Sequence, residues 1–172
     1  MIYVCPLSAI KGAIRDLRPS HLVSLLDPDS MIDTPAGIAP GRHLRISVND
    51  IAAPAGDLVP PEAGHMAALV DFVRGWDRES PLLVHCWAGI RRSTAAAFIA
   101  LCALHDAHPE DELARLVRAH GPHARPNRLM VRLADDLLRR EGRMSAAVEA
   151  LGPGRACWEG ELFSIPLPAK SH

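Results

Sequence analysis

The sequence predicts an α/β fold, a central and mostly parallel sheet of four to five strands flanked by helices. Short apolar or alternating runs at residues 2–5, 21–26, 42–48 and 82–84 alternate with longer segments whose apolar residues recur at helical spacing. That alternation is how parallel strands joined by helical crossovers look in one dimension. Clusters of Pro, Gly and Asp punctuate the runs and supply the turns between them.

Taken in order, residues 2–5 form a short strand, and Ser8 is placed to cap a helix carrying Ile10, Ala13, Ile14 and Leu17 on one face, stopped by Arg18-Pro19. Residues 21–26 read as the second strand. A loop rich in Asp, Pro and Gly follows at 27–41, long enough to be functional or mobile. Residues 42–48 alternate polar and apolar, so this strand should have one exposed face, and it delivers Asn49-Asp50-Ile51 at its end. Pro61-Glu62 opens a helix with Met66, Leu69, Val70 and Val73 in a single stripe, with His65 a surface or capping residue near its start.

Pro81 introduces the apolar run Leu82-Leu83-Val84, then a short loop, then an alanine-rich helix that Ser93 or Thr94 can cap. Pro109-Glu110-Asp111-Glu112 starts another helix, with Leu113, Leu116 and Val117 facing the core and Arg115 and Arg118 toward its end, as the helix dipole favours. Pro126-Asn127 opens the next, expected to bury Leu129, Met130, Leu133, Leu137 and Leu138 and to expose Arg128, Arg132, Arg139 and Arg140. Gly142 ends it, and residues 144–151 close the domain as a short helix. Gly152-Pro153-Gly154 marks a boundary, so residues 1–152 are the domain and 153–172 an arm packing on it, irregular or as an edge strand.

The loop after Val84 carries the chemistry. It lies at a helix N-terminus, where unpaired N–H groups and the positive end of the dipole attract anions, and Gly89 lets the backbone curl around one. Cys86 and Arg92 bracket it with five residues between them. Such surroundings favour a thiolate, the reactive form of cysteine, and arginine's planar fork holds two phosphate oxygens where lysine cannot. Ser93 can donate to the sulfur when it must leave, and His85, on the strand below, can order the loop through backbone groups. The alternative is a buried Cys86 that ends a core strand, with Arg92 on a solvated helix start; it leaves the placing of the glycine, arginine and serine unexplained.

His85-Cys86-x-x-Gly89-x-x-Arg92-Ser93 resembles the signature of the cysteine-dependent protein tyrosine phosphatase superfamily, most of all its small dual-specificity branch, of the bacterial type. The resemblance implies a phosphatase-like sheet flanked by helices, a phosphocysteine intermediate, no metal or other cofactor, and an aspartate acid on a separate loop. It makes Cys86, Arg92, Asp50 and Ser93 the catalytic set, Trp87, Ala88, Gly89, Ile90 and Arg91 the substrate-binding loop, and His85 its support. Asp50 suits the acid because it follows a strand and precedes the helix leading to the nucleophile strand, 36 residues before Cys86. Asp57, in the same loop, is the rival.

The substrate implied is a phosphorylated protein, through phosphotyrosine or dual specificity. Arg91 departs from the small residue more usual there, and the lone Tyr3 cannot line a central pocket mouth, so a phosphoinositide or an RNA 5′ phosphate is an alternative, as is a non-catalytic phosphate-binding module. A rhodanese-type sulfurtransferase also uses a loop cysteine but has no need of this full set.

Composition bounds the rest. The 172 residues suit one domain with a full core, and 48% hydrophobic with 23% charged is ordinary for a globular protein. A formal net charge of −1 argues against bulk nucleic-acid binding. Cys5, Cys86, Cys102 and Cys157 show no metal-ligand spacing, the chain starts without a leader pattern, and its longest apolar run is about half the ~20 residues of a membrane span, so cytoplasmic residence is expected. Cys5 is unfit as nucleophile: Lys11 stands where an arginine is needed, and no glycine lies between. Cys102 reads as core. The pairs His105/His108 and His120/His123 straddle helix ends without a third ligand and are expected to face solvent. The oligomeric state is left open.

Overall fold

The computed structural model describes residues 1–169. Its five strands are β1 (Ile2–Pro6), β2 (His21–Leu26), β3 (His43–Ser47), β4 (Leu82–Cys86) and β5 (Phe163–Ile165). They order β3-β2-β4-β1-β5, parallel throughout except for β5, which runs antiparallel to β1. The expected α/β architecture is therefore the one adopted, and the arm is an edge strand; residues 170–172 of that expected arm lie outside the described residues.

Six helices cover the sheet: α1 (Ile10–Leu17), α2 (Ala63–Arg74), α3 (Arg92–Leu104), α4 (Glu110–His120), α5 (Arg128–Leu137) and α6 (Arg143–Ala150). The short α1 packs Ile10, Ala13 and Ile14 on one face against Leu22, Leu83 and Cys5. The other face holds the larger core, centred on α3, which touches β1, β2 and β4 beneath it and α2, α4 and α5 around it. Being surrounded, α3 is apolar on every side, which is why Ala95 to Ala103 shows no stripe. β4 is the middle strand and is buried throughout, so its C-terminal end opens where a parallel sheet places its ligands.

Several local expectations change. Ser8 lies in a single 3₁₀ turn before α1, and its hydroxyl donates to Glu159 Oε1 at 2.7 Å rather than capping. Neither Ser93 nor Thr94 is the cap of α3: the helix begins at Arg92, Ser93 turns to the Cys86 sulfur, and Thr94 Oγ1 donates to Ile90 O at 2.6 Å. His65 does cap, accepting from the Glu62 N–H at 3.0 Å.

Arg140, expected outside, is buried. It donates to Cys102 O, to Asp106 and to the buried Glu110, which Arg143 also meets, so it ties the end of α3 to α4 and to the turn before α6. Leu137, expected inside, is exposed, because α5 ends there and its face turns away from the core. His105 and His123 are buried rather than solvent-facing, each set edge-on against a ring, His108 and Phe163 respectively. No cluster of three or more metal-ligating side chains occurs among the described residues, and no described helix is long and apolar enough to cross a membrane.

Candidate active site

β4 ends at Cys86 and α3 starts at Arg92, and the backbone between them closes into a cradle. Gly89 makes this possible: its φ is +69°, and a Cβ there would stand 2.7 Å from Pro6 N and 2.9 Å from Cys5 C. The loop's carbonyls are engaged on the protein side. Trp87 O accepts from Leu7 N, Ala88 O from Gly160 N, Ile90 O from Arg125 N and Arg91 O from Asn127 N, at 2.7–3.1 Å. With its carbonyls turned to these partners and the N-terminus of α3 behind it, the loop has the make-up of an anion site.

Two groups already address the sulfur. Gly89 N–H donates to Cys86 Sγ at 3.2 Å, and the Ser93 hydroxyl lies within hydrogen-bond distance of it, also at 3.2 Å. Arg92 is buried, and only its Nη1 has partners, Asp27 Oδ1 and Val48 O, both at 2.7 Å. Its Nε is buried without an acceptor, and Nη2 makes no hydrogen bond to any described residue. Nε and Nη2 form one edge of the guanidinium, so a complete bidentate edge is left over, and an orphaned buried donor calls for a ligand. Cys86 and Arg92 line the same cavity, of about 620 Å³.

Asp50 lines that cavity and Asp57 does not; Asp57 is exposed. The Asp50 carboxylate is held by Arg91 Nε at 3.1 Å and by Asn127 Nδ2 at 2.8 Å. Asn127 does this while its Oδ1 caps α5 through Met130 N, and its Nδ2 also reaches Ile51 O. The Asp50 loop is closed on itself, with Asn49 and Val59 joined by two hydrogen bonds of 2.8 Å. Of the expected loop residues, Trp87, Ala88, Ile90 and Arg91 line the cavity, with Trp87 open to solvent at its rim.

His85 supports the loop through a buried chain rather than through loop backbone. Its Nε2 lies 2.6 Å from Ser24 Oγ, Ser24 meets His43 Nε2 at 2.8 Å, and His43 Nδ1 meets Thr34 Oγ1 at 2.9 Å. Its Nδ1 has no partner of hydrogen-bond geometry, although the Cys86 backbone lies near enough to raise its proton affinity. Burial outweighs that and, with His43 and Arg92 nearby, pushes the His85 pKa down from 6.5 to about 4. His85 is then neutral in the fold, while the unfolded chain takes up a proton near pH 6.5. The stability this represents is complete above pH 6.5 and lost as pH falls toward 4. A shift of this size is worth on the order of 3 kcal/mol. Urea unfolding at pH 7 and 4.5 should show a smaller acid loss for His85→Gln than for the unmodified chain; equal losses would refute the assignment.

Cys5, one strand over, is fully buried, and burial followed by the charge of Cys86 pushes its thiol up to about 12, unlike a nucleophile. Cys102 is core, and burial raises its thiol further still.

Three contributors escape a reading of the sequence alone. Asp27, at the start of a loop, is the carboxylate that orients Arg92, and Asn127 reads only as a helix cap. The arm is the third: Gly160 packs so tightly on the loop that a Cβ would meet His123 Nε2 at 2.5 Å, and Arg155 and Cys157 line the cavity. Each acts across a long sequence separation, which no local pattern encodes.

A family model described as protein-tyrosine phosphatase matches residues 54–126, a span that contains the whole cradle. Those residues are similar to a protein-tyrosine phosphatase domain. Solved phosphatase structures share its fold at low identity. DUSP15 is 19% identical with a TM-score of 0.59, covering 87% of this chain and 90% of that one. Human DUSP28 is 19% identical with a TM-score of 0.55, covering 88% and 95%. Human tyrosine phosphatase-like serine/threonine/tyrosine-interacting protein is 15% identical with a TM-score of 0.64, covering 81% and 92%. No curated protein matches in sequence. The likeness to these phosphatases is one of fold, and α2, β4 and α3 fall within the span that the family model matches.

Proposed function

We propose that this phosphatase hydrolyses phosphomonoesters through a phosphocysteine on Cys86. The observation that carries the reading is the unfilled Nε/Nη2 edge of buried Arg92 in one cavity with the Cys86 sulfur. The Cys86 thiolate attacks phosphorus, forming the S–P bond as the ester P–O bond breaks, while Arg92 and the loop amides hold the equatorial oxygens. Asp50 gives its proton to the departing oxygen, then as carboxylate takes one from the water that attacks the phosphocysteine. Ser93 donates to the sulfur as it leaves. Trp87, Ala88, Gly89, Ile90 and Arg91 bind the phosphoryl group through backbone and rim, and His85 keeps the loop in shape. Residues 1–152 with the arm act as one unit, because the arm supplies part of the cavity wall. Phosphomonoesters are the substrate class, and the four unpaired thiols suit a reducing, cytoplasmic setting.

Asp50 is assigned over Asp57 because Asp50 alone of the two faces the cavity and is held in place by Asn127 and Arg91. With an aryl phosphate, Asp50→Asn should lower kcat by about 10²-fold and flatten one limb of the pH profile, while Asp57→Asn stays within about twofold. Equal rates for the two variants would remove Asp50 from the mechanism.

A further inference from the structure

We infer that the surface next to the phosphoryl cavity binds a second phosphate, so that the preferred substrate is a small phosphomonoester carrying at least one further phosphate group. The inference rests on the phosphatase reading above and names the substrate class of that site. A second cavity, of about 320 Å³, adjoins the first and shares Arg91 and Arg125 with it. Its other walls are Pro126, Arg128, Gly152 and Pro153, and no carboxylate lines it.

Of the three arginines that line it, Arg91 is paired with Asp50, whereas Arg125 and Arg128 are exposed and have no ion pair or side-chain hydrogen bond among the described residues. Arg128 is also the first residue of α5, where the helix dipole opposes a cation, so the site holds positive charge against the local field. Beneath it, Arg118 donates to the carbonyls of Ala124, Leu151, Gly152 and Pro153, which builds the floor yet brings no negative charge. Burial first, and the charge of Arg125 second, lower its pKa.

The backbone that carries Arg125 is held against the cradle. Arg125 N–H donates to Ile90 O and Asn127 N–H to Arg91 O, so the Arg125 backbone is pinned to the phosphate cradle itself. With the whole chain at −1, this concentration of charge is local rather than a consequence of a basic protein. A guanidinium pair without partners, reached from the cradle through Arg91, suits a doubly charged group on the same molecule whose first phosphate sits over Cys86.

Turnover of inositol 1,4-bisphosphate, inositol 1-phosphate, phosphatidylcholine vesicles doped with phosphatidylinositol 4,5-bisphosphate, and a singly phosphorylated tyrosyl peptide tests this. At low salt, kcat/KM for the soluble bisphosphate should exceed that for the monophosphate by about tenfold or more. In Arg125→Ala/Arg128→Ala that ratio should fall to near one; the vesicle arm shows whether the second phosphate comes from a lipid headgroup or a free compound. A wild-type ratio near one, a ratio unchanged in the double variant, or preference for the peptide would overturn the inference while leaving the phosphatase reading intact. Absence of turnover on every substrate would overturn the phosphatase reading instead. Calorimetric titration of Cys86→Ser with the soluble bisphosphate, with and without the two arginine changes, then decides the subsite by itself: a tenfold loss of affinity supports it and equal affinities refute it.

Discussion

Cys86→Ser should abolish hydrolysis of an aryl phosphate, with a loss of about 10⁴-fold or more, while phosphate binding persists. The size of the effect follows from what the sulfur does. A serine hydroxyl at this position has no neighbouring base, since His85 is turned to Ser24 and Ser93 is itself a hydroxyl, so no nucleophilic anion forms. The change alters only the contacts of the sulfur with Gly89 N–H and Ser93, while the cradle's carbonyl contacts run to Leu7, Gly160, Arg125 and Asn127 and do not involve the sulfur. Vanadate or phosphate titration should thus show an affinity within a few-fold of the unmodified protein, alongside absent turnover. Residual activity above about one per cent would remove Cys86 from the covalent role.

Arg92→Lys should cost about 10²–10³-fold in kcat/KM, more than a conserved charge would suggest. An ammonium can satisfy Asp27 or Val48 O, or reach the phosphoryl oxygens, but it has no second edge to do both. In the fold, Nη1 is spent on Asp27 and Val48 O while Nε is buried without a partner. The lysine variant should also bind phosphate more weakly, which separates it from Cys86→Ser. Asp27→Asn is the companion measurement. It leaves the guanidinium chemistry intact and removes the charge that orients it, so kcat/KM should fall by less than in Arg92→Lys. An Asp27→Asn loss as large as that of Arg92→Lys would mean that Asp27 has a part in the reaction beyond positioning.

The legible part of this protein is local. β2 was readable to the residue because His21–Leu26 is a short apolar run between Pro19 and Asp27, and α2 because its stripe and its first-turn cap are contiguous. The cradle was readable for the same reason: strand end, glycine, arginine and serine lie within nine residues, and the helix N-terminus that charges them follows directly. What was misread is relational. Arg140 looked like one more exposed arginine on an amphipathic helix, yet it answers the carboxylate of Glu110 from another helix. Ser93 could be read both as a cap and as a partner of the sulfur, and of the two only the contact with the sulfur forms, at 3.2 Å.

From residue order alone came the α/β alternation, the nucleophile loop, the guanidinium that closes it and a choice between two acids, because each depends on neighbours a few positions apart. Only the folded chain decided that Asp50 and not Asp57 lines the cavity that holds Cys86, that Asp27 and Val48 consume one arm of Arg92 and free the other edge, and that the C-terminal arm walls the cavity. Those facts depend on which segments meet across the sheet, a matter of packing and loop closure between residues tens of positions apart, and hydrophobic period carries no record of them.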